Sequence, residues 1–392
     1  MTILHEVRAA HKTLRDRLDG ALTSPPPGVN PDDLPSVPLI DLAASLNGSP
    51  EDKKAVAMQI RDACITSGFF QIKNHGIAPT ATDGILEQAE RFFRDLTPEQ
   101  KEEIHVSKSE LFRGYEPGDF SYVNPDDMGE STKKEKPQHE TKEAFNWGYE
   151  AALDPEGSDG KYVELDGTPP QEGHTNVWPS EEALPGFHDV VKDYYIQAMR
   201  LCRHLFGLFA LGLGLEETYF DSVTTHPGGI ARLIHYPAQP EKEDNDTPDA
   251  RLGLGAHTDY ECFTLLLCSA NPGLEILFPP SPITNGKAIW RPCPVRPGTI
   301  TVNIADFFQR WTNGLYKSTV HRVMSKMGGE ERYSVPLFFS INYDADVLPL
   351  PEAAVGKNLY KPMKAGQYVL ERLRATKSVG EGSDDISQAD AM

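Results

Sequence analysis

Two histidines and one aspartate are the residues of this chain best suited to hold a metal ion. His257 and Asp259 are separated by one residue, and His321 lies in a later β-type segment, STVHRV. In a strand, residues i and i+2 face the same way, so we expect His257 and Asp259 to point together. Two imidazoles and a carboxylate on one face of an octahedron leave three positions open, which is typical of non-haem Fe(II) oxygenases. The three residues therefore predict a catalytic iron site.

The His-x-Asp pair is weak evidence by itself. With 12 histidines and 58 acidic residues among 392, chance alone gives ~2 such pairs, so an ordinary core or surface histidine is the competing interpretation. The flanking sequence strengthens the metal interpretation. Gly253 and Gly255 precede the pair, where they let the chain approach a pocket without side-chain bulk, and the β-type segment FTLLLC follows it.

A second pair, Arg332 and Ser334, also has i, i+2 spacing in a β-type segment. A guanidinium offers a two-pronged donor that matches a carboxylate, and a serine hydroxyl adds a third donor. This pair predicts a binding site for an organic acid.

The elements that must position these residues are mostly short strands. From residue 229 onward, β-type segments alternate with Pro- and Gly-rich turns, which predicts an all-β sandwich or barrel. The segments are ARLIHY, FTLLLC, LEILF, AIWRPC, TITVNI, STVHRVM and YSVPLFFSINY. Elsewhere in the chain, the sequence predicts helices over 50–66, 79–95, 181–213 and 365–376, and a helix that starts at 97–99. It also predicts strands at 36–42 and 68–73. Pro38 places the strand at 36–42 at a sheet edge.

The chain divides by composition into four regions. We expect an N-terminal extension over 1–35 with an amphipathic helix in its first 20 residues, an α/β region over 36–145, a barrel over 146–345, and a closing helix with a disordered acidic tail over 346–392. The polar segment near 116–143 is expected to be mobile, either as a lid or as plain disorder. The acidic stretch 241–250 is expected to be a solvated loop.

Charge and cysteine content exclude several classes of protein. The net charge of −20 argues against binding to nucleic acid or to anionic membranes. The five cysteines are odd in number and form no CxxC pair, which argues against a disulfide framework or a structural zinc site. No apolar run suggests a signal peptide or a membrane span, so cytoplasm is the expected location. Oligomeric state cannot be predicted.

Several motifs resemble one enzyme family. The first half carries VPLIDL (37–42), GFFQIKNHGI (68–77), FFRDLTPEQK (92–101), RGY (113–115) and KEAF (142–145). The second half carries HTD (257–259), GLE (273–275), PGT (297–299), VNIAD (302–306), WTNGLYKSTVHRV (311–323) and RYS (332–334). The chain resembles the isopenicillin N synthase-like branch of the 2-oxoglutarate/Fe(II)-dependent dioxygenase superfamily over most of 36–345. It departs at Ala305, where the family usually has glycine, and at Ile234, where it usually has asparagine.

The resemblance implies a fold, cofactors and a reaction. The fold is mainly β with flanking helices around a double-stranded β-helix (jelly-roll) core. His257, Asp259 and His321 would hold Fe(II), and Arg332 and Ser334 would hold the far carboxylate of the co-substrate 2-oxoglutarate. With O2, the enzyme would hydroxylate, desaturate or form a ring in a small organic molecule of specialised metabolism. Further residues are candidates to bind the co-substrate (Tyr236), to line the substrate pocket (Arg232 and Phe338) or to cover it (Phe112, Tyr115 and Tyr149), with ordinary packing as the alternative for each substrate candidate.

Two other functions stay open. Oxidases of the isopenicillin N synthase type also carry an Arg-x-Ser pair without using 2-oxoglutarate. A barrel that binds a ligand without turnover is the non-enzymatic alternative. The GxG at 253–255 does not indicate a dinucleotide site, because a metal pair and a strand follow it instead of a helix.

Overall fold

Two β-sheets pack face to face and enclose the site. The computed structural model describes residues 16–377 except 110, 112, 119–139, 156, 172–175 and 242–249. The larger sheet has eight strands in the order β1 (Leu39–Asp41), β2 (Phe69–Lys73), β10 (Ile300–Ile304), β7 (Phe263–Cys268), β12 (Arg332–Phe339), β5 (Gly229–Tyr236), β4 (Glu143–Gly148) and β3 (Gly114–Glu116). The smaller has β6 (Ala250–His257), β11 (His321–Lys326), β8 (Leu274–Phe278) and β9 (Ile289–Pro292). A separate hairpin pairs β13 (Asp346–Val347) with β14 (Met363–Lys364).

Alternation along β12 separates the two faces of the larger sheet. Tyr333 and Val335 belong to the large apolar core on the helix side of the sheet. Because successive side chains of a strand point to opposite faces, Arg332 and Ser334 point into the space between the sheets. The resulting architecture is mainly β with flanking helices, as the sequence predicts, and two facing sheets form its double-stranded β-helix core.

The helices cover the outer face of the larger sheet. They are α1 (Ala43–Asn47), α2 (Pro50–Thr66), α3 (Pro79–Asp95), α4 (Pro98–Glu103), α5 (Phe187–Gly212), α6 (Asp306–Trp311), α7 (Glu352–Val355) and α8 (Ala365–Lys377). The start of α2 is fixed by a capping box, in which the Ser49 hydroxyl accepts the Asp52 N–H and the Asp52 carboxylate accepts the Ser49 N–H. The long apolar α5 packs against α2 and α3 and forms the centre of the core.

The predicted elements agree closely with the described ones. Helices over 50–66 and 79–95 are confirmed, and β1 is an edge strand as Pro38 indicates. The strand predicted over 36–42 is shorter, Leu39–Asp41, because only three residues pair with β2. The long helix starts at Phe187 instead of 181, because Gly186 precedes it in the left-handed conformation, with φ of 75°.

Four predictions fall wholly or mostly outside the described residues. They concern the helix in residues 1–20, the mobile segment near 116–143, the acidic loop 241–250 and the tail after 377. The strands of the region 36–145 join the same eight-stranded sheet as the barrel strands. In the described part of the chain, no helix combines the length and apolar character needed to cross a membrane.

Candidate metal centre and co-substrate site

The two histidines come together because two strands of the smaller sheet end there. His257 is the last residue of β6, His321 is the first of β11, and the two are direct partners in the antiparallel ladder. Their ring centroids lie 4.3 Å apart. With Asp259 they offer three ligand atoms that all lie within 4.8 Å of one another. The structure thus brings together the three residues that the sequence suggests as metal ligands.

Asp259 reaches the site from a loop, which corrects the expectation that it shares a strand with His257. The strand ends at His257, and the following residues have no regular secondary structure. The loop turns back onto the start of α6, where the Asp306 N–H donates to the Asp259 carbonyl at 2.9 Å and the Phe307 N–H donates to the Tyr260 carbonyl at 3.2 Å. These backbone bonds, and not the two-residue period of a strand, aim the carboxylate at the histidines.

Hydrogen bonds fix which ring nitrogens are available to a metal. The Nδ1 atom of His257 lies 2.7 Å from the Gly255 carbonyl, and that of His321 lies 3.1 Å from the Thr319 carbonyl. A carbonyl only accepts, so each neutral ring carries its proton on Nδ1 and leaves the Nε2 lone pair free. Both Nε2 atoms face one oxygen of Asp259, Oδ1, at 3.6 and 3.7 Å.

The other oxygen of Asp259 already accepts two hydrogen bonds from the protein. Its Oδ2 accepts the Thr264 hydroxyl at 2.5 Å and the Asn303 side-chain amide at 2.7 Å. Such outer partners orient a ligating carboxylate and tune its affinity for metal. Sequence reasoning missed both residues. Asn303 could have been found through its motif, VNIAD, whereas nothing local to Thr264 signals its contact.

The electrostatics of Asp259 and His321 suit a cation. Burial raises the pKa of the Asp259 carboxyl, but the two imidazoles and the Thr264 hydroxyl outweigh burial and leave that pKa well below its usual range. Burial and the neighbouring His257 lower the pKa of His321 to about 4. An ionised carboxylate and a neutral imidazole are therefore present at neutral pH. Two imidazoles and one carboxylate form a donor set that fits Fe(II).

The predicted acid-binding pair lies on the inner face of the larger sheet. Arg332 is buried and pairs across the ladder with Tyr236 of β5, and its guanidinium lies 5.0 Å from the Tyr236 ring centre. Its Nη2 donates to the Cys268 sulfur at 2.9 Å. Its Nη1 is buried and has no hydrogen-bond partner among the described residues. Ser334, also buried, follows on the same face.

Tyr236 belongs to the same group of side chains. Burial raises the pKa of the Tyr236 hydroxyl to about 12, although the Arg332 charge and the Ser334 hydroxyl oppose that rise. Tyr236 is therefore a neutral donor at physiological pH. An arginine, a serine hydroxyl and a phenol on one inward face match the donors that a carboxylate needs.

Two of the substrate candidates also lie on this inner face. Arg232 is four residues before Tyr236 on β5 and is partly exposed, and its Nη2 donates to the buried carboxylate of Glu116 at 3.2 Å. Phe338 is partly exposed and is the ladder partner of Thr264, the residue that contacts Asp259. Both therefore face the space in which the candidate metal ligands and Arg332 lie.

The other substrate candidates are placed differently. Tyr115 pairs with Phe145, a residue of the helix-side core, and its hydroxyl donates to Glu143 at 2.7 Å. Tyr149 is buried in the same core, and its hydroxyl donates to Asp154 at 3.0 Å. Neither side chain joins the inward-facing group, and Phe112 lies outside the described residues.

Comparison with family models covers both halves of the chain. A model described as the N-terminal part of non-haem dioxygenases in morphine synthesis matches residues 37–181. A model described as the 2OG-Fe(II) oxygenase superfamily matches residues 227–341. The second match contains all three metal-ligand candidates and the Arg332–Ser334 pair.

Similar proteins include fungal oxygenases. A 2-oxoglutarate-Fe(II) type oxidoreductase of Aspergillus fumigatus is 33% identical over 308 residues, which cover 78% of this chain and 82% of that protein. Clavatol oxidase of Penicillium crustosum is 33% identical over 328 residues, which cover 82% of this chain and 90% of that enzyme. A full-length Neurospora crassa protein, crystallised with alpha-ketoglutarate and thymine, superposes with a TM-score of 0.70 at 29% identity, covering 89% of this chain and 99% of that one.

The geometry of the site and these similarities lead to one assignment. The relatives match along most of their length, and the neighbouring structures hold the co-substrate in the same fold. The chain belongs to the 2-oxoglutarate/Fe(II)-dependent oxygenase superfamily and is a 2-oxoglutarate-dependent dioxygenase that uses Fe(II) and acts on a small molecule.

Proposed function

We propose that His257, Asp259 and His321 hold the iron, and that Arg332, Ser334 and Tyr236 bind the far carboxylate of 2-oxoglutarate. The observation that carries the proposal is the unpartnered, buried Nη1 of Arg332. A buried cationic donor without a partner is destabilising, and a carboxylate is the partner that a guanidinium fits best. We further propose that the chain is a member of the isopenicillin N synthase-like branch, on the motifs described above.

In this proposal each part of the protein has a separate task. Bound iron and 2-oxoglutarate supply the oxidising power, because O2 is reduced while the 2-oxo acid loses CO2 and leaves as succinate. The outer contacts of Asp259 keep one carboxylate oxygen directed at the metal position. The buried barrel excludes water, and the Arg332 side of the barrel sets the direction in which the 2-oxo acid lies.

The substrate is proposed to be a small organic molecule of fungal specialised metabolism, held between Arg232 and Phe338. The support is that both side chains are partly exposed on the inner face, where Arg232 is paired with Glu116 and Phe338 presents an aromatic surface. Of the similar proteins named above, one is a clavatol oxidase and another was crystallised with thymine. We expect hydroxylation, desaturation or ring formation.

We also propose that the protein is located in the cytoplasm. All five cysteines are free thiols, which suits the reducing cytoplasm. A fluorescent fusion expressed in a fungal host should give diffuse cytoplasmic signal, and organellar signal would contradict this part of the proposal.

Succinate release tests the proposed function. The purified protein with Fe(II), ascorbate and O2 should convert 2-oxoglutarate to succinate slowly, and Arg332→Ala should raise the KM for 2-oxoglutarate by at least tenfold. Arg251→Ala, which removes an exposed arginine from β6, is the matched control and should behave as wild type.

Two other outcomes would contradict the proposed site. Iron binding without succinate, with or without candidate substrates, would show that Arg332, Ser334 and Tyr236 do not hold 2-oxoglutarate productively. Absence of iron binding would show that His257, Asp259 and His321 are not the iron ligands.

A further inference from the structure

The C-terminal helix α8 packs directly behind the loop that carries Asp259. The Tyr368 ring of α8 stacks on Phe307 of α6, with ring centroids 5.2 Å apart. One turn further along α8, Arg372 is 3% exposed. Its side chain therefore lies in the interface between α8 and the metal loop, and not in solvent.

Arg372 contacts the loop in two ways. Its Nη2 donates to the Asp306 carboxylate at 2.5 Å, and the same carboxylate oxygen accepts the Thr258 hydroxyl at 3.0 Å. The face of its guanidinium covers the Tyr260 ring, 4.6 Å from the ring centre. Thr258 and Tyr260 are the residues immediately before and after Asp259. The Arg372 side chain of α8 thus restrains both sequence neighbours of Asp259.

The loop depends on contacts of this kind for its shape. It lacks regular secondary structure, so its backbone is held by the N–H groups of α6 and by side chains packed against it. The Asp306 carboxylate is buried, and a buried carboxylate that loses its cation is strongly destabilised. A planar guanidinium can donate to Asp306 while stacking on Tyr260, whereas an ammonium group can donate but cannot stack in the same manner.

We propose that Arg372 is a positioning residue that, through its contacts with Asp306 and Tyr260, sets the orientation of Asp259 in the metal site. The proposal rests on the proposed role of Asp259 as an iron ligand. It assigns to α8 a function in the active site, although α8 contributes none of the proposed iron or 2-oxoglutarate ligands.

Co(II) binding to the full-length protein tests this directly, because the visible spectrum of Co(II) reports the geometry of its ligands independently of turnover. Arg372→Met should weaken Co(II) binding about tenfold and alter the visible spectrum, as expected when an outer partner of a ligand is lost. Arg372→Lys keeps the charge but not the stacking, and should give an intermediate change. It also serves as the test if Arg372→Met does not fold.

Arg203→Met is the matched control. Arg203 forms a two-pronged ion pair with Asp154, at 2.9 and 2.6 Å, away from the metal loop. Its loss should lower the melting temperature and leave the Co(II) affinity and spectrum unchanged.

Two results of the Co(II) experiment would count against the proposal in different ways. If both Arg372 variants lower the melting temperature as Arg203→Met does, yet bind Co(II) with wild-type affinity and spectrum, Arg372 is only structural and the proposal is overturned. If the wild-type protein itself binds no Co(II), the proposed iron site fails, and the role of Arg372, which rests on that site, is overturned with it.

Discussion

At the scale of single residues, hydrogen bonds decide which atoms of the proposed metal ligands remain available. Backbone carbonyls hold both imidazoles by Nδ1, and two side chains hold one oxygen of Asp259. The three remaining donor atoms converge as a result. We infer that the proposed iron site is preorganised by uncharged groups outside the ligand set, and that their removal should affect metal affinity more than folding.

Replacing Asn303 by alanine tests this preorganisation. Loss of its amide leaves the Asp259 Oδ2 with the Thr264 hydroxyl alone, so the carboxylate can rotate. We expect Fe(II) affinity to fall about 10- to 100-fold, measured by anaerobic titration. Asn271→Ala, which removes an amide bonded to the Glu331 carbonyl, should retain wild-type affinity. Equal affinity in the Asn303 variant would show that its amide does not orient the ligand.

The residue types were predictable from sequence, but their surroundings were not. The spacing of His257 and Asp259 and that of Arg332 and Ser334 point to the chemistry without any structure. The position of Asp259 in a loop, held by α6, depends on contacts between segments far apart in the chain. No periodicity in the local sequence reports such contacts, and the same holds for Thr264.

At the scale of elements, the close approach of β6 to β5 shapes the co-substrate end of the barrel. A Cβ atom at Gly253 of β6 would lie 2.9 Å from the Tyr236 ring and 3.1 Å from the Ser325 hydroxyl. Tyr236 is buried, so its ring cannot move aside without disturbing Arg332 beneath it. The glycine that the sequence suggests as a site of close approach thus makes room for a proposed ligand of 2-oxoglutarate.

Gly253→Ala should therefore damage co-substrate binding as well as stability. Overpacking of a filled interior costs about 1–3 kcal/mol, and displacement of Tyr236 should raise the KM for 2-oxoglutarate several-fold. Thermal unfolding and succinate kinetics measure the two effects. Gly286→Ala provides a glycine control, because a Cβ there meets no atom within 4 Å, although its positive φ will cost some stability. An unchanged KM in the Gly253 variant would mean that Tyr236 does not contribute to binding.

Element positions were well predicted where local signals are strong. Ser49 and Pro50 mark the start of α2 by capping and by fixed φ, and the prediction starts that helix at residue 50. The start of α5 was placed too early, at 181, because the Pro185–Gly186 turn signal was not used, and the described helix begins directly after it at Phe187.

At the scale of the whole molecule, an ion-pair network ties the helices to the outer face of the larger sheet. Both ring nitrogens of His235 lie within 3.0 Å of a carboxylate, one on Glu143 and one on Glu331. Glu143 also contacts Lys101 of α4 and accepts the Tyr115 hydroxyl. The network joins α4, β4, β5 and the start of β12, and it contains several charges whose protonation depends on pH.

The stability of the protein should consequently fall in acid through Glu143. Burial raises the pKa of this carboxyl, but hydrogen bonds from His235 and Tyr115 and the charge of Lys101 outweigh burial, so its pKa in the folded protein is below the usual value. A lowered carboxyl pKa stabilises the fold above about pH 4.3 and loses that contribution as pH falls through the folded-state pKa. Glu143→Gln should thus lower the melting temperature at pH 7 and lower it less at pH 3.5. An equal decrease at both pH values would contradict this, and Glu352→Gln at an exposed site should have no effect.

The proposed site has three residues that hold iron and an arginine, Arg332, that holds the 2-oxo acid beside it. Anaerobic addition of Fe(II) and then 2-oxoglutarate to the apo-protein, followed in the visible range, tests both parts together. We expect a weak charge-transfer band that needs both additions, disappears in His257→Ala, and is lost or needs far more 2-oxoglutarate in Arg332→Ala. A band that persists unchanged in Arg332→Ala, or that never forms in the wild type although iron binds, would contradict the proposed site.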